Sequence, residues 1–402
     1  MSVSALPDQG ITAPLGFRAA GVAAGIKASG APDVCLVVAD GPATAAALFT
    51  TNQVQAAPVV VSRAHMDASG GQVRALLINS GCANACTGAR GLATAQMSAE
   101  EVARHLSCPV DQVLLASTGV IGVHLDREAL HFGIRLALDA LGHNGHGAAR
   151  AIMTTDLAPK EYAVEVSTPA GAFRVGGMAK GAGMIEPMLA TMLAFLTTDA
   201  AVEAPLLDRA LREVTERTFN AITVDGECST NDAVIALASG ASHVAVDESS
   251  YDALVNGLEA VARHLAVAIV RGGEGATKLV TIRVTGSATV EQARRVAKTI
   301  ANSPLVKTAI HGGDPNWGRL VAATGRAGVP FLLERARVEI GPVVLFRNGQ
   351  PYDDQAEAAA EILSAPEVEV RIDLGTGGPA EATVWTCDLS AEYVRINGEY
   401  RT

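Results

Sequence analysis

Hydrophobic and polar positions along the chain switch repeatedly between short apolar runs and longer helical periods. Val34–Val38, Pro58–Val61 and Ala75–Ile78 are short aliphatic or β-branched runs bounded by turn residues. They predict buried strands. Thr94–Leu106 and Glu128–Leu141 carry apolar residues at helical spacing, with Gly142 positioned to cap the second. Residues 143–147, His-Asn-Gly-His-Gly, read as a loop. Pro205–Phe219 and Tyr251–Val270 are amphipathic helices; in the second, Leu254, Leu258, Val261, Leu265 and Ile269 form the apolar stripe. Ser249 or Ser250 is available to cap it.

Lys278–Gly286 predicts a strand, and Thr289 with Gln292 forms a capping box for a helix to about Ala301. Beyond Pro330 come strand Val338–Phe346, helix Asp354–Leu363, strand Val368–Leu374 and strand Ala382–Cys387. Val368, Val370, Ile372 and Leu374 alternate with polar residues, the pattern of a strand with one wet face. The expected class is mixed α/β, with sheets covered by helices and a smaller C-terminal α+β domain at about 287–402.

Composition narrows the function classes. The 402 residues are 49 % hydrophobic and 18 % charged, which excludes a disordered chain. Aromatics are only 4 %, against a stacking surface for single-stranded nucleic acid. The formal net charge of −11 leaves no general basic footprint, so no nucleic-acid partner is expected. Met1–Gly21 lacks the basic start and apolar core of a signal peptide. Met184–Leu196, the most apolar stretch, contains Glu186 and Pro187 and is too short to span a bilayer. The 6 Cys suit a reduced, cytoplasmic protein. Cys82 and Cys86 are a close pair, but no second Cys/His cluster accompanies them, so no metal is expected.

Candidate chemistry lies in polar, glycine-rich segments between apolar elements. Asn79–Gly88 follows a strand and reads as a polar turn or a site loop. Ser117-Thr118-Gly119 sets a hydroxyl beside a glycine N–H, a pattern suited either to a tight turn or to an oxyanion hole. Met153–Asp156 reads as a binding loop or a helix end. Gly176–Leu193 contains the glycine-flanked Lys180, which looks like a phosphate loop but lacks G-x-x-x-x-G-K-[ST], so a nucleoside triphosphate site is rejected. Thr191 inside that apolar stretch is either a buried hydroxyl or a nucleophile. Asp225–Asp232, Gly272–Lys278 and His311–Arg319 each read singly as a structured turn, although such acidic clusters could bind a cation and Glu274 could face an amine.

Together these segments resemble the ornithine acetyltransferase family of arginine biosynthesis, also called the glutamate N-acetyltransferase family. The resemblance runs from about Gly16 to Thr402. It includes Asn79–Gly88, Ser117–Gly119, Met153–Asp156, Lys180–Leu193, Asp225–Asp232, Glu274–Lys278, Asn302–Lys307, Asp314–Arg319 and Tyr393–Thr402. It implies a self-cleaving layered α/β fold, cut at Ala190–Thr191 into chains 1–190 and 191–402. Thr191 would then be an N-terminal nucleophile whose α-amine serves as its base. Thr118 and Gly119 match the oxyanion pair. Thr155, Lys180, Thr191, Glu274, Asn397 and Thr402 match substrate-binding positions. On charge grounds, Lys180 suits an α-carboxylate and Glu274 the side-chain amine of ornithine.

The implied reaction is ping-pong transfer from N2-acetyl-L-ornithine to L-glutamate. Acetyl-CoA is a second donor in bifunctional members, and no tightly bound cofactor is required. The resemblance further implies an α2β2 heterotetramer. Two departures stand out: Cys82 where the family commonly has Asn, and Met188-Leu189 where it commonly has Asp-Met. Two rival readings are a self-cleaving aminopeptidase or amidase, in which water is the acceptor, and a non-catalytic amino-acid-binding protein.

Overall fold

The computed structural model describes residues 2–186 and 192–399. The first part of the chain forms β1 (Ser2–Ala5), β2 (Phe17–Val22), β3 (Val34–Phe49), α1 (Ala57–Ser69), β4 (Gln72–Cys82), α2 (Gly88–Leu106) and β5 (Val113–Val120). It continues with α3 (Arg127–Asp139), α4 (Gly145–Ala151), β6 (Lys160–Thr168) and β7 (Gly171–Lys180). Next come β8 (Leu193–Thr198), β9 (Ala201–Val202), α5 (Ala204–Arg217), β10 (Ala233–Ala238), β11 (Ala245–Val246) and α6 (Tyr251–Arg271). The C-terminal part is β12 (Leu279–Ser287), α7 (Val290–Ala301), α8 (Pro304–His311), α9 (Trp317–Gly325), β13 (Arg337–Ile340), β14 (Val343–Arg347) and β15 (Gln350–Pro351). It ends with α10 (Ala356–Leu363), β16 (Glu367–Asp373), β17 (Ala380–Cys387) and α11 (Ala391–Glu399).

Among the described residues, the larger sheet has 9 strands, ordered β1-β6-β7-β8-β10-β3-β4-β5, with β2 also pairing to β3. Strands buried on both faces send alternate side chains into different cores. Leu193 and Phe195 of β8, Ile235 and Leu237 of β10, and Leu76 and Ile78 of β4 pack with Ala148, Ala149 and Ala151 of α4. Their neighbours Ala194, Leu196, Val234 and Ala236 face α5 and α6 through Leu207, Leu211, Leu258, Val261 and Leu265. Leu36, Val38, Ala75 and Leu77 pack under α2 and α3 against Val102, Leu130 and Ile134. By length and composition α6 could cross a membrane. Its apolar stripe is instead fully enclosed in the core: Leu254, Leu258, Val261, Leu265 and Ile269 are each 0 % exposed.

The smaller sheet is ordered β15-β14-β13-β16-β12-β17 and buries its apolar side under α7, α9 and α10. In β16, Val368, Val370 and Ile372 are buried while Glu367, Arg371 and Asp373 are exposed, as the alternation required. This sheet opens at Leu279, upstream of the boundary expected at 287. Thr289 caps α7 by accepting from Gln292 N.

Several local expectations differ from the structure. Pro58–Val61 is the first turn of α1, not a strand. Proline near the start suits a helix because its missing N–H is not needed there. Four apolar residues are too few to reveal a period. Residues 145–151 are helix α4, not loop, because the Asn144 side chain accepts from Gly147 N and starts the turn. Glycine is needed at the contact with β2: a Cβ on Gly21 would lie 2.0 Å from the Gly147 carbonyl oxygen. Helix α3 is capped by Ala140 rather than Gly142. Val338–Phe346 is a hairpin, β13 turning at Gly341-Pro342 into β14.

Phe195 of β8 is fully buried in the core with residues of β4, β10 and α4, so Phe195→Ala should lower the unfolding free energy by ~3–5 kcal/mol in a urea titration. Removing the α7 cap by Thr289→Ala should cost ~1 kcal/mol in the same measurement.

Candidate active site

The ends of β4, β5 and β7 and the starts of β8 and β10 bring polar groups together at one place. Parallel pairing of β4 with β5 sets Ser80 beside Thr118 and Gly81 beside Gly119. Gly119 has φ +125°, and a Cβ there would lie 2.4 Å from the Gly81 carbonyl carbon, so only glycine fits. The Asn79 side chain donates to the Cys82 carbonyl at 2.8 Å and accepts from Ser117 Oγ at 2.6 Å. Asn231 Nδ2 donates to the carbonyls of Ala83 (2.6 Å) and Ser117 (2.9 Å), tying the start of β10 to both strand ends. The Asn79–Gly88 segment therefore holds Thr118 and Gly119 in place from behind.

Lys180 ends β7 and is 8 % exposed. Its Nζ donates to Thr118 Oγ1 at 3.0 Å. Burial pulls its pKa below the ordinary lysine value, and Lys160 adds to this, while Asp156, Asp232 and Glu274 oppose it. Asp156, whose side chain is wholly buried, is the main counter-charge. It pairs with Lys160 Nζ and accepts from Gly181 N at 2.8 Å and Thr154 N at 3.1 Å. Burial opposes its ionisation, but Lys160 and Lys180 overcome this and hold its pKa below the usual carboxylate range.

Of the two readings of the Asp225 segment, a structured turn or a cation-binding cluster, the structure favours the turn. The Asp225 carboxylate accepts from the backbone N–H of Met184 (2.7 Å), Ile185 (2.8 Å) and Glu227 (3.2 Å) and from Tyr393 Oη at 3.3 Å. These donors consume its lone pairs and anchor the segment before residue 187. Glu274, 8 % exposed, accepts from Asn397 Nδ2 of α11 at 2.9 Å. Ser390 Oγ donates to the Gly275 carbonyl at 2.6 Å, seating the start of the same C-terminal segment.

Thr118, Gly119, Thr155, Lys180, Glu274 and Asn397 thus line one cavity of about 150 Å³, with Met192, Leu193, Asp225, Asp232 and Tyr393 among its other walls. Ala190, Thr191 and Thr402 lie outside the described residues, as do Met188 and Leu189. Cys82 is buried and directs its thiol to the Val123 carbonyl at 3.3 Å, and burial raises its pKa. Among the described residues, no group of three or more His, Cys, Asp or Glu side chains is placed to share a metal ion. Asp156, Asp232 and Tyr393 were not singled out as site residues from sequence. All three fall within segments already noted; strand pairing and the seating of α11 bring Asp232 and Tyr393 to the cavity wall, while Asp156 sits behind it, bonded to Lys160 and Gly181.

The model of the ArgJ family matches residues 18–402. The chain belongs to the ArgJ family. An ArgJ relative from Synechococcus sp., named an arginine biosynthesis bifunctional protein, is 50 % identical over 98 % of this chain and 97 % of its own length. A relative of the same name from Symbiobacterium thermophilum is 47 % identical, with 98 % of each chain covered. The crystal structure of the arginine biosynthesis bifunctional protein ArgJ from Bacillus halodurans is 41 % identical with a TM-score of 0.51. The match covers 52 % of this chain and 100 % of that one.

Asp156→Asn should destabilise the protein by ~3–5 kcal/mol near neutral pH, because it strands buried lysines without their counter-charge. The native pKa of Asp156 lies below its ordinary value of 3.8. Its contribution is therefore full above that value and disappears as pH falls through the native pKa. Urea titrations of both proteins at a series of pH values should show the gap closing only below 3.8.

Proposed function

We propose that this ArgJ-family enzyme transfers an acetyl group from N2-acetyl-L-ornithine to L-glutamate through an acetyl-threonine intermediate on Thr191. The observation that carries the reading is the convergence of Thr118, Gly119, Thr155, Lys180, Glu274 and Asn397, from scattered stretches of sequence, on one cavity. Thr118 and Gly119 supply a hydroxyl and an N–H to the developing oxyanion. The Lys180 ammonium supports that pair through its hydrogen bond to Thr118. It also offers positive charge to a substrate α-carboxylate. Glu274 offers negative charge to the ornithine side-chain amine, with Asn397 holding its carboxylate. Thr155 and Thr402 complete the substrate contacts.

The nucleophile arises when Thr191 attacks the Ala190 carbonyl and the chain divides into residues 1–190 and 191–402. The free α-amine of Thr191 then removes the hydroxyl proton. Such an amine has a pKa of about 7.7–8.0, so an appreciable fraction is neutral near pH 7. The cut is supported by the length of the Bacillus halodurans chain, which is wholly matched by 52 % of this one. The 212 residues from 191 to 402 form a similar share. In this reading the fragments assemble as an α2β2 heterotetramer in the cytoplasm. No cofactor is tightly bound, and acetyl-CoA serves as a second acetyl donor, in keeping with the relatives' description as bifunctional.

Denaturing mass spectrometry should show two fragments, the second beginning at Thr191, and a single uncut chain for Thr191→Ala. An intact wild-type chain would defeat the mechanism. Incubation with acetylornithine should yield acetylglutamate only when glutamate is present; equal free acetate with and without glutamate would indicate an amidase instead. Thr118→Val should lower kcat by ~100- to 1000-fold by removing one oxyanion donor, with the fragments still formed at a reduced rate.

A further inference from the structure

Asp232 immediately precedes β10, and the strand pairing fixes its place. Ala233 lies opposite Leu193, and Ala233 N donates to the Met192 carbonyl at 3.1 Å. Asp232 is thus brought beside Met192 at the cavity wall. Its own carbonyl accepts from Thr50 N at 3.0 Å, so its backbone is anchored on both sides. The side chain is in a different condition. Asp232 is 2 % exposed and lines the cavity, yet its Oδ2 has no hydrogen-bond partner among the described residues. Asp156 and Asp225, the other aspartates at this site, are saturated with donors. A buried carboxylate lacking a partner is costly, whereas a buried carboxylic acid is much less so.

We propose that Asp232 is an acid–base residue of the acetyl transfer, holding one proton between the two half-reactions. The assignment rests on the acetyl-transfer reading above. In the first half-reaction the Thr191 oxygen forms a bond to the acetyl carbon, and the bond from that carbon to the ornithine nitrogen breaks. The hydroxyl proton passes to the departing nitrogen, and Asp232 gives it a further proton, so ornithine leaves as an ammonium and Asp232 becomes a carboxylate. In the second half-reaction the α-ammonium of glutamate returns a proton to Asp232. The freed nitrogen attacks the acetyl carbon, the ester C–O bond breaks, and the nitrogen's second proton goes to the threonine oxygen. Asp232 ends protonated, and no other proton source is needed.

The surroundings suit both states. Burial pushes the Asp232 pKa well above the carboxylate range, favouring the resting acid. Hydrogen bonds from Ser229 and the charge of Lys180 oppose that shift and stabilise the transient carboxylate. Cys228 is the other titratable group coupled to it, and burial keeps that thiol's pKa raised.

The test separates an amine that arrives charged from one that does not. Acetyl-enzyme is formed with p-nitrophenyl acetate, whose leaving group departs without a proton from Asp232, and its breakdown is timed with glutamate and with hydroxylamine, which is neutral near pH 7. In Asp232→Asn the glutamate-to-hydroxylamine rate ratio should fall ~100-fold or more, because only glutamate must first give up a proton. A ratio within ~3-fold of the wild type would overturn the assignment. If Asp232→Asn remains uncut, the ratio is read on Asp232→Ala with and without formate. Recovery of the glutamate rate by formate supports the proposal, and no recovery overturns it. If neither variant is cut while the wild type is, Asp232 serves cleavage or folding and the proposal fails. Failure of the wild type to form acetyl-enzyme from acetylornithine would instead reject the acetyl-transfer reading.

Discussion

The buried carboxylate of Asp156 makes the rest of the site physically tenable. Two lysines, Lys160 and Lys180, are 7 % and 8 % exposed at the same edge of the sheet. Two buried cations so close together are tenable only beside a negative charge. Asp156 supplies that charge, and N–H groups of Gly181 and Thr154 satisfy its oxygens. Through Lys180 the charge reaches Thr118. One side chain therefore links the loop after α4, the end of β7 and the end of β5. The arrangement gives up some stability to hold a cation where an anionic substrate and a developing oxyanion would need it.

The glycine- and alanine-rich composition has a structural counterpart in this geometry. A sheet covered on both faces by helices leaves its strand ends as the natural place for polar chemistry. Small residues let those ends approach closely, as at Gly119 against Gly81 and at Gly21 against α4. Aromatic side chains would hold the same backbones apart. The low aromatic content is thus the counterpart of tight backbone packing around the site.

Legibility in the sequence followed the range of the physical signal. Long amphipathic periods located α5 and α6 closely, the Thr289–Gln292 capping box located α7, and strict alternation located β16 with its wet face. Four-residue runs were ambiguous: Ala75–Ile78 does lie in a strand, but Pro-Val-Val-Val at 58–61 fits a strand or a first helical turn equally well, and tertiary packing chose the helix. The hairpin at Gly341-Pro342 was missed because apolar residues continue through the turn. Thr118, Gly119, Lys180, Glu274 and Asn397 were legible as motif positions, and their convergence is a property of the fold. The acidic cluster was legible as a turn, but not its detail, because sequence shows which residues carry charge and not which backbone N–H groups will satisfy them.

That last distinction sorts the aspartates of the site. Asp225 and Asp232 stand in one short segment, and composition gives no reason to separate them. The structure fills the carboxylate of Asp225 with donors, making it an anchor for the chain leading to residue 187. Among the described residues, it leaves one oxygen of Asp232 without a partner at the cavity wall. A group whose hydrogen bonds are complete is fixed in one protonation state by its partners. A group left incomplete in a buried, lysine-facing position has two states of closer energy. Exchange of a proton with a substrate requires such closeness, so the unsatisfied carboxyl, rather than the satisfied one, is the group equipped to take part in the chemistry.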